Sequence, residues 1–184
     1  MQPILYIHGF ASSGHSLKGQ VLKHNLPQVY TPSLSHIPDL ALETLEEMRR
    51  ALGRPLLIGS SLGGYYALHL SHTHQLPAVL INPVIRIDLP LTKVVGLNNH
   101  YYDGSRFEFT EQHLHALAGL EVERPDTSHL LLLVQMGDEL LDHSKTLKRL
   151  AGAQTVVEEG GDHAYQHFEA QLPAIARFAA EQQA

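Results

Sequence analysis

No cysteine occurs in the 184 residues of this chain, which excludes disulfide bonds and thiol chemistry and agrees with a reducing compartment. Positive charge is scarce as well. Lys and Arg number 13 against 19 Asp and Glu, a formal net charge of -6, so the sequence-independent attraction for phosphate backbones that marks nucleic-acid binders is missing. The 14 histidines would cancel part of that negative charge below neutrality. Long apolar runs are also absent, and none approaches the length of a bilayer span. At the start, Met1-Gln2 leads through Pro3 into Ile4-Leu5-Tyr6-Ile7, too short for a secretory core and without a basic flank. A soluble, cytoplasmic protein is expected.

What is present is a rhythm. Apolar runs at Ile4-Ile7, Val29-Tyr30, Leu56-Ile58, Ala78-Ile81, Leu130-Val134 and Thr155-Val157 each close on turn residues and read as buried strands. Between them lie amphipathic stretches. Asp39 is placed to cap a helix over Leu40-Leu52, and further helices are expected over Leu62-Ser71, Asp142-Leu150 and Gln166-Ala180, the last kinked or broken at Pro173. Alternating strands and helices of this kind predict an α/β fold, with a mostly parallel sheet of about six strands covered on both faces. The rhythm lapses from about residue 84 to 128. No clear strand is visible there, Pro90, Gly96, Asn98 and Asn99 interrupt it, and a functional or mobile loop within one domain spanning 1–184 is expected.

One junction carries chemistry. Gly59-Ser60-Ser61-Leu62-Gly63 fits G-x-S-x-G centred on Ser61, after an apolar strand and before a helix, where a sharp turn exposes a nucleophile above the sheet. Glycines two residues to either side leave room for so tight a turn, which selects Ser61 over Ser60 and leaves Ser60 a turn residue with local hydrogen bonds. A phosphate cradle is set aside, because Tyr65 and Tyr66 stand where Lys and Ser or Thr are needed. A plain glycine-rich turn is the rival reading of the motif. A serine nucleophile needs a base, and the base an orienting acid, in the chain order serine, acid, histidine. Asp138 follows the fifth strand and His163 the sixth, so both arrive in order at strand ends. Glu139 and Asp142 compete with Asp138, although Asp142 is better placed as a helix cap; Asp162 is too close to His163 to orient its ring readily and is a candidate cap for the last helix. Oxyanion donors are expected at the backbone N–H of Leu62 and of Phe10, in the loop after the first strand, with His8 tied up in loop hydrogen bonds. Two groups of histidines, His163 with His167 and His69 with His72 and His74, have metal-like spacing but no third ligand of suitable type, so no metal is expected.

With these residues identified, the chain resembles the α/β-hydrolase superfamily and, more closely, small bacterial esterases of the YqiA/YcfP type. The likeness rests on "YIHGFASSGHSLKG", "IGSSLGGYYALHLS", "LPAVLINPVIR" and "QMGDELLD" followed by "EGGDHAYQHFE", and is weakest over residues 32–53 and 95–128. It implies a three-layer α/β-hydrolase fold without a large cap domain, a nucleophile at Ser61, an acid at Asp138, a base at His163, and Phe10 and Leu62 at the oxyanion positions. One departure is Asp162, where those proteins carry asparagine. The expected reaction is hydrolysis of a carboxylic ester or thioester of small or medium acyl chain, with no cofactor. Tyr101, Tyr102, Phe107 and Phe109 are candidates either to line an acyl pocket or to pack the irregular segment down. Arg86 is a candidate to meet an acidic substrate group or to pair with Asp88 or Glu108. Competing functions are a hydrolase-fold receptor with little turnover, and lactone, amide or acyl-transfer chemistry at the same serine.

Overall fold

The structure, a computed structural model, describes residues 2–87 and 92–183. Pro90 and Asp88, named above, lie outside the described residues. Six strands, β1 (Ile4–Ile7), β2 (Val29–Tyr30), β3 (Leu56–Ser60), β4 (Ala78–Ile81), β7 (Leu130–Gln135) and β8 (Gln154–Glu158), form one sheet in the order β2-β1-β3-β4-β7-β8, with every pairing parallel. The four central strands are near-continuous apolar runs because both faces of a parallel sheet are covered.

Alternate side chains feed two cores. Leu5, Ile7, Leu57, Leu80 and Leu132 pack beneath α2 (Pro38–Leu52), α3 (Leu62–His74) and α4 (Glu111–Ala118). Ile4, Tyr6, Ile58, Val79 and Leu133 face the other way, against α1 (Leu17–Asn25) and α6 (Leu172–Glu181). Register aligns the strand ends that matter, with Ile7 opposite Gly59, Ser60 opposite Ile81 and Ile81 opposite Leu133. The carboxyl ends of β1, β3, β4 and β7 therefore share one rim, where open α/β sheets place their ligands.

Three local expectations change. Helix α2 starts at Pro38, with Ile37 at the cap position and Asp39 already inside the first turn, so Asp39 complements the helix dipole instead of capping it. Pro173 does not kink a helix that is already running. A 3₁₀ turn over Phe168–Gln171 precedes α6, and the proline sits in the first turn of α6, where its missing N–H costs nothing. The segment after residue 84 is more ordered than its composition suggests. It holds an antiparallel hairpin, β5 (Gly96–Asn99) with β6 (Arg106–Phe109), and then α4, capped by Thr110. In β6, Phe107 and Phe109 point inward while Arg106 and Glu108 point out, the period-two pattern of a half-buried strand.

Candidate active site

β3 runs into α3 through Ser61, whose φ of 54° and ψ of −119° lie outside the ordinary right-handed and extended regions. Such a conformation costs about 1–3 kcal/mol and is held by its surroundings. The glycines at 59 and 63 make it possible. A Cβ at Gly59 would collide with the Gly63 carbonyl, and one at Gly63 with the Ile7 carbonyl, so helix, strand and the β1 end close to backbone contact. Ser60 is the last residue of β3 and not part of the turn. Its hydroxyl makes no hydrogen bond among the described residues and faces the cavity described below.

The Ser61 Oγ lies 2.9 Å from His163 Nε2, and His163 Nδ1 lies 2.8 Å from Asp138 Oδ2. A carboxylate accepts only, so Nδ1 carries the proton, and Nε2 is left to accept from the serine hydroxyl. Asp138 Oδ1 accepts from the N–H groups of Leu140 and Leu141 at 2.8 and 2.9 Å. Its side chain is fully buried, which by itself would push the carboxyl up. The hydrogen bonds from His143, His163 and the Leu140 N–H outweigh that and hold it well below the usual carboxylate range.

His143 was not anticipated. It lies at the start of α5 (His143–Arg149), its side chain is wholly buried, and its Nε2 is 2.8 Å from the same Asp138 oxygen that meets His163. His143 Nδ1 lies 3.2 Å from Thr146 Oγ1. The Thr146 hydroxyl donates to Nδ1, which leaves the proton on Nε2 to donate to Asp138. Only its position five residues after the acid hinted at this, and five residues of loop do not fix a direction. The rivals of Asp138 find other partners. Asp142 caps α5 through the Ser144 N–H at 3.1 Å, and Glu139 accepts the backbone N–H of His163 at 3.0 Å. Asp162 caps no helix; its Oδ2 accepts from Gln166 Nε2 at 2.9 Å.

The loop bearing His163 is pinned from below by two buried amides that sequence reading did not single out. Asn82 takes the Gln135 N–H on its oxygen at 2.9 Å and donates to the Asp162 carbonyl at 2.9 Å. Gln135 accepts the N–H groups of Asp162 and Gln166 at 3.2 and 2.8 Å. Facing the serine, a side chain at Gly9 would press on Ser61, so the loop after β1 runs directly past its side chain. The N–H of Phe10 donates to no group among the described residues, and that of Leu62 opens α3, where leading N–H groups have no intrahelical acceptor. Both are free to serve a ligand atom. His8 is occupied: Nδ1–H donates to the Gly9 carbonyl at 2.8 Å and Nε2 accepts from Leu34 N–H at 2.9 Å.

A cavity of about 580 Å³ opens over Ser61 and His163. Its mouth is apolar, with Leu17, Leu140 and Tyr101 largely exposed there. Of the four pocket candidates, Tyr101 lines this cavity. Tyr102 instead stacks on His15, ring centroids 5.2 Å apart. Phe107 and Phe109 pack the segment down, both edge-on to Phe10 at 5.5 and 5.1 Å. Arg86 reaches toward Glu121 at 3.8 Å, which also takes Arg149. Among the described residues no group of three His, Asp or Glu side chains is arranged to hold a metal, and no helix is long and apolar enough to cross a membrane.

Solved structures share this fold. Est1E of Butyrivibrio proteoclasticus, solved with ferulic acid bound, superposes with a TM-score of 0.75 at 15% identity, covering 99% of this chain and 89% of that one. A monoacylglycerol lipase of Paleococcus ferrophilus gives 0.70 at 16% identity, with 96% and 95% covered, and an esterase domain from Rhodothermus marinus 0.69 at 19%, with 100% and 88% covered. In sequence, the chain is 26% identical to the UPF0227 protein Shewana3_2292 of Shewanella sp. (strain ANA-3), over 95% of this chain and 98% of that one. A second relative, Shew185_2404 of Shewanella baltica (strain OS185), is 23% identical at the same coverage. The model of the family described as uncharacterised protein family UPF0227 matches residues 3–180, so this chain, with its α/β-hydrolase fold, belongs to that family.

Proposed function

We propose that the protein is a serine hydrolase that cleaves carboxylic esters or acyl thioesters of small or medium acyl chain through an acyl-enzyme. The observation that carries this is the unbroken chain Ser61 Oγ, His163 Nε2, His163 Nδ1, Asp138 Oδ2, with two unengaged N–H groups beside the serine. The esterases and lipase among the structures of like fold are consistent with it. As Ser61 Oγ bonds to the substrate carbonyl carbon, its proton passes to His163 Nε2. The carbonyl π electrons move to oxygen, where the Phe10 and Leu62 N–H groups receive the charge. The bond to the leaving alcohol or thiol then breaks, His163 returns the proton to that leaving atom, and the acyl group stays on Ser61. Water repeats the sequence: its proton goes to His163, its oxygen to the acyl carbon, and the proton ends on Ser61 Oγ as the acid departs. Asp138 fixes the tautomer of His163 and stabilises the imidazolium without taking the proton.

The largely apolar lining of the cavity suits an acyl group. The test compares the wild type with Ser61→Ala on p-nitrophenyl acetate and butyrate. The substitution is expected to lower kcat by about 10⁴-fold or more. Turnover that persists in the variant would remove Ser61 from the reaction, and a wild type that takes a fluorophosphonate label but turns over no ester would point to a receptor.

A further inference from the structure

The cavity over Ser61 contains one positive side chain other than histidine among the described residues, Lys18, from the first turn of α1. It is half-buried and makes no hydrogen bond and no ion pair among the described residues. Its three donors meet no protein acceptor among the described residues, in a cavity also lined by Val21, Val84 and Phe168, so they are left to solvent or to a ligand. The charge belongs to no part of the triad, whose hydrogen bonds close on themselves through His143 and the Leu140 and Leu141 N–H groups. The opposing charge on this wall is similarly incomplete. Asp162 places one oxygen on Gln166, while its Oδ1 is buried without a partner. Asp162 therefore attracts Lys18 without pairing with it. Burial pulls the Lys18 ammonium down to about 8, with Asp162 opposing the shift, so at neutral pH it still carries its charge.

From this geometry we infer that Lys18 is a specificity-determining residue, and that the substrates are esters bearing an anionic group, a carboxylate or phosphate, away from the scissile carbonyl. The inference rests on the hydrolase reading for the identity of the bond cleaved, but not for the binding preference itself. Lys18 comes from a different element than the serine, the histidine and the oxyanion donors, so it meets a different part of the ligand. An arriving anion would replace solvent at the Lys18 donors with a charged hydrogen bond in a cavity whose lining is mostly apolar. A neutral ester of the same size would leave them as they are.

Binding to the Ser61→Ala protein reads this without turnover. Two matched pairs separate the halves of the ester: monomethyl adipate against the methyl ester of the monocarboxylic acid of equal length, for an anion on the acyl side, and 4-butyryloxybenzoate against phenyl butyrate, for an anion on the leaving group. Calorimetry is expected to show at least one anionic member binding about tenfold or more tighter than its neutral match. Adding Lys18→Met should erase that preference and adding Lys18→Arg should keep it. Equal affinities within both pairs, a preference that survives Lys18→Met, or no measurable binding of any of the four would overturn the inference; the first is the result expected if Asp162 engages Lys18 in solution. Hydrolysis of phenyl butyrate by the wild type, lost in Ser61→Ala, judges the hydrolase reading separately.

Discussion

At Ser61 the backbone holds a conformation that glycine adopts at little cost and serine does not, so reactivity and stability pull against each other at one residue. Ser61→Gly and Ser61→Ala remove the same hydroxyl and should abolish hydrolysis equally. Only the first relieves the strain. Chemical denaturation is expected to find the glycine variant about 1 kcal/mol more stable than the alanine variant. His143 supports a second prediction at this scale, because it acts through Asp138 and not on substrate. His143→Phe should lower kcat by roughly 10–100-fold with little change in KM, and His143→Gln, which keeps a donor, should recover part of the loss. A purely structural role would give no such rescue and no split between kcat and KM. Lys18 yields the third. Its folded pKa of about 8 lies below the ordinary lysine value of 10.5, so between those values the unfolded chain binds more protons and wild-type stability rises with pH. Lys18→Met should therefore be the more stable protein at neutral pH, with the gap closing between about pH 8 and pH 10.5. Denaturant titrations of both proteins across that range would check it.

Between elements, the hairpin β5–β6 serves as a clamp on the loop after β1. Phe107 and Phe109 grip the Phe10 ring, and the Tyr101 N–H binds the Ala11 carbonyl at 2.8 Å, which fastens the hairpin turn to the loop after β1. Removing the Phe109 ring should do more than open a cavity. Phe109→Ala is expected to cost about 3–5 kcal/mol of stability and to slow kcat more than it raises KM, since the Phe10 N–H would lose its aim. Steady-state kinetics beside a thermal melt would separate the two effects. The period-two pattern of Arg106–Phe109 was legible in the sequence, but four residues amid glycines and asparagines are too few to distinguish a strand from a loop.

For the whole molecule, histidines set the response to acid. His8 and His69 are held neutral chiefly by burial, and both sit below the usual histidine range. As pH falls below about 6.5 the unfolded chain takes up these protons first, so stability should decline on acidification. For His8 the reason is local as well: a proton on Nε2 would displace the Leu34 N–H. A series of thermal midpoints from pH 7 to pH 5 should fall steadily, and one that stayed level would show that these rings protonate without strain. The strand order, by contrast, follows from covered apolar runs and has no pH dependence of its own.

Sequence by itself determined the six strands of the parallel sheet and the turn at Ser61, because apolar runs and glycine spacing act over a few residues. It also placed Asp138 and His163 at strand ends, since a parallel sheet brings successive strand ends to one rim. Only the tertiary structure decided that His143 shares an oxygen with His163, that Asn82 and Gln135 hold the histidine loop, that the Phe107–Phe109 strand folds back on Phe10, and that Lys18 turns into the cavity unpaired. Those contacts join residues from separate elements, and their directions depend on how the elements pack, which no local pattern encodes.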